Sequence, residues 1–192
     1  MSKNMFERSE QALRKLAIGN NTYIRSCQNP ADISEKRRCE TACGGQFPYA
    51  VVLTCSDSRV PPEHIFSAGI GDIFVVRTAG NVVGTFELGS IEYAVQHLDV
   101  PLIVVMGHTH CGAVAAALEG HATGYIKNVV REIQLGLDGA TTESQAICNN
   151  ILHSKQRVMQ SKTVTELIRA GQLMVICAEY DIETGCVNFF DC

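Results

Sequence analysis

Four short apolar runs constrain this chain more than anything else in it: residues 50–54 (AVVLT), 73–76 (IFVV), 102–106 (LIVVM) and 173–177 (LMVIC). Each is too short for an ordinary helix, and apolar residues follow one another instead of alternating with polar ones. A strand of that kind is covered on both faces, as in a parallel sheet sandwiched between helices. The intervening segments supply helical patterns. Ile91, Ala94, Val95 and Leu98 recur at helical spacing, with Thr85 as the expected N-cap, and a second helix is expected from Cys111 through the alanines to Leu118. Residues 141–170 read as helical with a break near 161–163. Met5, Phe6, Leu13, Leu16 and Ala17 predict an amphipathic helix over 5–18, and the polar stretch 25–46 predicts a short helix and a loop. Residues 179–190 read as a hairpin whose turn is opened by Gly185. The expected fold is α/β: a mainly parallel four-stranded sheet with an antiparallel edge strand, flanked by helices. An N-terminal helical arm (1–45) precedes the compact domain (46–192).

Composition narrows the classes of function. With 46% hydrophobic and 19% charged residues in 192, the chain can bury a core and is not intrinsically disordered. A formal charge of −4 argues against a general nucleic-acid binder. No apolar run is long enough to span a bilayer, and the first ten residues lack the apolar stretch of a secretory signal, so the expected location is cytoplasmic with no membrane partner. Nine cysteines cannot all pair within one chain, and a reducing compartment directs attention to thiol or metal chemistry.

In open α/β sheets ligands gather beyond the carboxyl ends of the strands. After the first run comes Cys55-Ser56-Asp57-Ser58-Arg59, after the second Arg77-Thr78-Ala79-Gly80-Asn81, and after the third Gly107-His108-Thr109-His110-Cys111-Gly112. Cys55, His108 and Cys111 are of the types zinc prefers, and three protein ligands leave a fourth position open. The spacing alone is equally compatible with two buried structural cysteines and a capping histidine. Asp57 and Arg59 can form a bidentate pair that fixes a carboxylate beside such a metal, or an ordinary surface ion pair. A Cys-x5-Arg phosphatase loop is excluded because only three residues separate Cys55 from Arg59, and no Cys-x-x-Cys redox pair is present. Cys39 and Cys43 read as ordinary thiols.

The ordered combination CSDSR (55–59), GDIFVVRTAGN (71–81), IEYAV (91–95), HTHC (108–111) and YDIETG (180–185) resembles the β-class carbonic anhydrases, from about Gln46 to Gly120 and again in the C-terminal hairpin. The resemblance implies Cys55, His108 and Cys111 as ligands of one Zn²⁺ per chain and Asp57 and Arg59 as the catalytic dyad. It implies Gln46, Phe74, Tyr93 and Gly112 as substrate-pocket positions of the plant type. It also implies a homodimer or higher homo-oligomer whose N-terminal helices embrace the neighbour, with the active site near the interface. The chain departs from the plant-type pattern at Gly80-Asn81, where those members have Ala-Asn. It has no Trp, which sets it apart from the subtype with a Trp-containing bicarbonate site.

The implied activity is zinc-dependent, reversible hydration of CO2 to bicarbonate and a proton, through a hydroxide oriented by the Asp-Arg dyad. His64, His110 and His121 are candidates for carrying the proton, because an unperturbed imidazole titrates in the right range. Two other readings stay open at this level: a COS or CS2 hydrolase on the same scaffold, and a non-catalytic structural zinc protein.

Overall fold

The computed structural model describes the backbone of residues 2–26 and 28–191, and the side chains of these from residue 7 onward. The side chains of Met5 and Phe6 and the whole of Cys27 lie outside the described residues. The elements in chain order are α1 (Ser2–Arg25), α2 (Glu35–Gly44), β1 (Ala50–Cys55), α3 (Pro62–Ile65), β2 (Ile73–Thr78), a 3-10 turn (Ala79–Asn81), α4 (Thr85–His97), β3 (Leu102–His108), α5 (Gly112–Glu119), α6 (Ile126–Gly136), α7 (Glu143–Val158), α8 (Lys162–Arg169), β4 (Met174–Tyr180) and β5 (Val187–Phe190).

The sheet runs β2-β1-β3-β4-β5. The first four strands are parallel and β5 returns antiparallel on β4, as the apolar runs and the hairpin pattern predict. β1 and β3 sit at the centre and every residue in both is buried. Alternate residues feed two cores. Val51, Leu53, Ile103 and Val105 pack against the layer of α4 to α8, whose buried contributions include Ile91, Val114, Ile133, Ile151 and Val164. Val52, Val104 and Met106 pack with Ala12 and Leu16 of α1 and with Ile65 and Phe66. From β1 the chain crosses to β2 on one side and then to β3 on the other. The β1/β3 junction is therefore the switch point, where open α/β sheets leave a crevice.

The N-terminal helix, expected as an arm, covers a face of its own sheet. Leu16 is fully buried, Ser9 donates to the Pro101 carbonyl at 2.9 Å, and Arg8 pairs with Asp99 at 2.8 Å. Asn20 ties the helix to the far end of the fold: Nδ2 donates to the carbonyls of Ile65 and Gly185, and Oδ1 accepts from Val187.

Several local expectations shift. Gly84, not Thr85, is the N-cap of α4, because Glu87 reaches back to accept the Gly84 N–H at 2.8 Å and Thr85 is already helical. Cys111 caps α5, which starts at Gly112. The break near 161–163 is a true boundary, with Ser161 accepting from the Val164 amide at the head of α8. Gly185 takes φ +77° in the hairpin turn, as its position requires.

At Gly19 the α1 backbone presses on α3, and a Cβ there would fall on the Phe66 carbonyl. Gly19→Ala is expected to lower stability by about 1–3 kcal/mol, despite alanine's better helix propensity. A urea-unfolding midpoint equal to or above wild type would contradict this packing.

Candidate metal centre

Three elements deliver one cluster. Cys55 is the last residue of β1, His108 the last of β3, and Cys111 the N-cap of α5. In the β1/β3 register Thr54 lies opposite Met106, so the ends of both strands reach the same sheet edge. His110 takes φ +57°, and this left-handed residue turns the chain so that Cys111 comes back toward His108. All three side chains are buried, and their ligand atoms lie within 4.8 Å of one another.

The chemistry of the cluster fits a metal. His108 Nδ1 sits 2.8 Å from the Thr109 carbonyl, which only accepts, so Nδ1 carries the proton and Nε2 is left as a lone pair. That Nε2 is buried and has no hydrogen-bond partner. An imidazole oriented by a carbonyl at one nitrogen and orphaned at the other is a ligand awaiting a cation. The Cys55 thiol is pulled well below the usual thiol range, first by its hydrogen bond from Cys111 and then by His108 and the amides of Asp57 and Gly80, against the effect of burial. Cys111 is pushed up by the Cys55 sulfur and by burial. Two thiolates this close repel each other, and a dication bound between them would stabilise both in the ionised form. Two thiolates and an imidazole form a zinc-type donor set with a fourth position left over.

The loop after β1 is fixed on all sides. Asp57 accepts from Arg59 twice through the side chain, Nε to Oδ1 at 3.0 Å and Nη2 to Oδ2 at 2.8 Å, and once from the Arg59 amide at 2.9 Å. This bidentate grip holds the Asp57 carboxyl down at about 2, so it is an acceptor throughout the neutral range. Arg59 Nη2 also donates to the His110 carbonyl at 3.0 Å, joining the Cys55 loop to the loop that carries the other two sequence-predicted ligands. Arg77 carries no sequence signal that marks it as a site residue. Its Nε donates to the Cys55 carbonyl at 2.9 Å and its Nη2 to the Asp57 carbonyl at 2.6 Å, clamping the backbone on either side of Ser56. Two amides point at the Cys55 sulfur, Gly80 at 3.2 Å and Asp57 at 3.4 Å.

The pocket positions divide. Gly112 opens α5 next to Cys111 and has free space where a side chain would be. Gln46, Phe74 and Tyr93 are not at this edge of the chain's own sheet. Phe74 pairs with Val51, whereas Cys55 pairs with Thr78, a separation of four positions or about 13 Å along the strand. Gln46 and Tyr93 line a cleft of about 940 Å³ with Tyr49, His97 and Pro101, at the amino ends of β1 and β3. The Phe74 and Tyr93 rings lie 6.4 Å apart. Of the histidines outside the cluster, His64 bonds Asn29 at 2.9 Å and lines a hollow that also includes Arg59. His110 is half-exposed between Glu143 and Glu183, and His121 is exposed.

Fold and cluster together define an α/β protein with a buried Cys-His-Cys cluster, able to hold a metal ion, at the switch point of a parallel sheet. A sequence profile of the carbonic anhydrase family matches residues 50–187. Carbonic anhydrase 2 of Mycobacterium tuberculosis is 38% identical over 185 residues, covering 91% of this chain and 89% of that protein. A carbonic anhydrase of Mycolicibacterium smegmatis is 37% identical over 92% of this chain and 91% of its own. Among solved structures, one of two tetrameric β-carbonic anhydrases from the ascomycete Sordaria macrospora superposes with a TM-score of 0.73 at 30% identity, covering 82% of this chain and 88% of that one. The chain belongs to the β-class carbonic anhydrases, a family of enzymes.

Proposed function

We propose that this protein catalyses the reversible hydration of CO2 to bicarbonate and a proton, with one Zn²⁺ held by Cys55, His108 and Cys111. The observation that carries the reading is the bidentate Asp57–Arg59 pair set beside a three-ligand cluster, because a purely structural zinc site is closed by four protein ligands and needs no such pair. Bound zinc acidifies a water so that hydroxide is available near neutral pH and stabilises negative charge developing on the substrate oxygens. Asp57, ionised and pinned by Arg59, would serve as a fixed hydrogen-bond acceptor beside the metal position and so orient the attacking group toward the CO2 carbon. Arg59 keeps the carboxylate off other partners and locks the two loops together. Arg77 keeps the Cys55–Asp57 backbone from drifting.

Gln46, Phe74 and Tyr93 serve the site of a second copy. They lie at the sheet end opposite the cluster in one chain, so a homodimer that apposes the amino-end cleft of one subunit to the metal edge of the other unites them. Gln46 then donates to an oxygen of the forming bicarbonate, and the two aromatic rings wall the CO2 side.

Stopped-flow CO2 hydration on zinc-loaded protein is expected to give rapid turnover that Asp57→Ala lowers about 100-fold or more with zinc retained. Full activity in the variant would remove the dyad from the mechanism. Wild-type inactivity toward CO2 alongside hydrolysis of COS or CS2 would move the assignment to the sulfur substrates. Two thiolates and a neutral imidazole cancel the charge of Zn²⁺, so the site is a weaker Lewis acid than one with three imidazoles. Turnover is therefore expected to rise as pH goes from neutral to alkaline. The Asp57 carboxyl, held far below this range, adds no inflection of its own. A rate that is flat from about pH 6 to 9 would contradict that charge count.

The interface admits a complementation test. Cys55→Ser and Gln46→Ala chains are each expected to be impaired alone, yet coexpressed they form a mixed dimer with one complete site and about half the wild-type activity per dimer. No gain on coexpression would place both functions within one chain.

A further inference from the structure

Behind the metal centre, α7 buries an unusual pair of polar residues. Its core-facing positions are otherwise apolar, with Ala146, Ile147, Ile151 and Val158 in the main cluster. Asn150 and Ser154, four apart and so on one face, are each only 1% exposed. Both reach the Ala79–Asn81 turn. Asn150 Nδ2 donates to the Gly80 carbonyl at 2.8 Å. Ser154 Oγ donates to the Asn81 carbonyl at 2.9 Å, and the Asn81 side-chain amide returns a bond to Ser154 Oγ at 3.2 Å. The turn they grip holds two successive left-handed residues, Gly80 at φ +65° and Asn81 at φ +48°. An asparagine backbone in that region is costly and needs support from its surroundings.

What the turn presents is the Gly80 N–H, 3.2 Å from the Cys55 sulfur. The same Gly80 residue that offers its N–H to the sulfur is bonded by Asn150 through its carbonyl. A Cβ at Gly80 would strike Ile133 and Ala113, so the turn is pressed between α5 and α6 as well as bonded to α7. Packing alone does not call for asparagine at position 150. Its Oδ1 is buried without a partner, so the side chain is held there for its Nδ2 bond to the Gly80 carbonyl and not for packing.

We propose that Asn150 and Ser154 are positioning residues for the Cys55 thiolate: they lock the Ala79–Asn81 turn so that the Gly80 amide is aimed at the sulfur, tempering its donation to the metal. This rests on the assignment of Cys55, His108 and Cys111 as the zinc ligands. An N–H donated to a thiolate withdraws charge from it, so a metal bound there keeps more of its Lewis acidity. Loss of the aim makes the sulfur a stronger donor and an easier one to oxidise.

The test is the near-ultraviolet sulfur-to-metal charge-transfer band of the cobalt-substituted protein, which reads the thiolates directly and does not depend on any activity toward CO2. Asn150→Leu keeps the side-chain shape and removes the donor, Ser154→Ala removes only a hydroxyl, and Ile147→Val alters packing on the same helix without touching the turn. The band is expected to move to lower energy in Asn150→Leu and, by less, in Ser154→Ala, and to stay in place in Ile147→Val. Should Asn150→Leu fail to fold, Ser154→Ala alone decides. An unmoved band in the folded polar variants, or an equal shift in Ile147→Val, overturns the proposal. A wild-type cobalt protein without the thiolate band would instead overturn the ligand assignment itself.

Discussion

Everything distinctive about this protein follows from the pairing of two buried parallel strands, β1 and β3, which end at the same edge of the sheet. The register sets the end of β1 at Cys55 and the end of β3 at His108 close enough that a single left-handed residue, His110, suffices to bring Cys111 in as well. A slip of one residue in either strand would turn its side chains to the opposite face and scatter the donors. The apolar runs of both strands resist such slips, because every position in the two strands is buried. Hydrophobic register and metal chemistry are thus one constraint seen at two scales.

Around that convergence the molecule arranges charge in layers. Next to the cluster, backbone amides and the Thr109 carbonyl fix the sulfur and imidazole atoms. One step out, Arg59 and Arg77 bind carbonyls and a carboxylate, so that two guanidinium groups stiffen a loop with no regular structure of its own. A further step out, α7 bonds the turn that faces the sulfur. Each layer orients the one inside it, which is how a site assembled from loops reaches the precision that catalysis requires.

Much of this was legible in the sequence because the strands and ligands carry local signals. Consecutive apolar residues mark all four parallel strands, and the loops after the first and third hold Cys55, Asp57, Arg59, His108 and Cys111, which the fold brings to one end of the sheet. What escaped was non-local. α6 is the exception, an unexpected helix with a local signal: Ile126, Val129, Val130, Ile133 and Leu137 stand at helical spacing, and Val130 and Ile133 are buried. Arg77 looks like any strand-end arginine until its fork is seen on two carbonyls of the neighbouring loop. Asn150 and Ser154 carry no sequence signal for burial, and only the packing of α7 on the turn reveals it. Thr85 has a residue type that suits a cap, but Glu87, three residues beyond Gly84, accepts the Gly84 N–H and sets the boundary one residue earlier. The N-terminal helix expected as an arm also packs on its own sheet, where Ala12 and Leu16 are buried.

The central claim is that three side chains hold one metal and leave a position free. X-ray absorption on the zinc-loaded protein at alkaline pH tests it at the metal itself. The account predicts two sulfur neighbours at about 2.3 Å and two lighter ones at about 2.0 Å, one of them the imidazole nitrogen. A third or fourth sulfur in the shell, or a single sulfur, would contradict it.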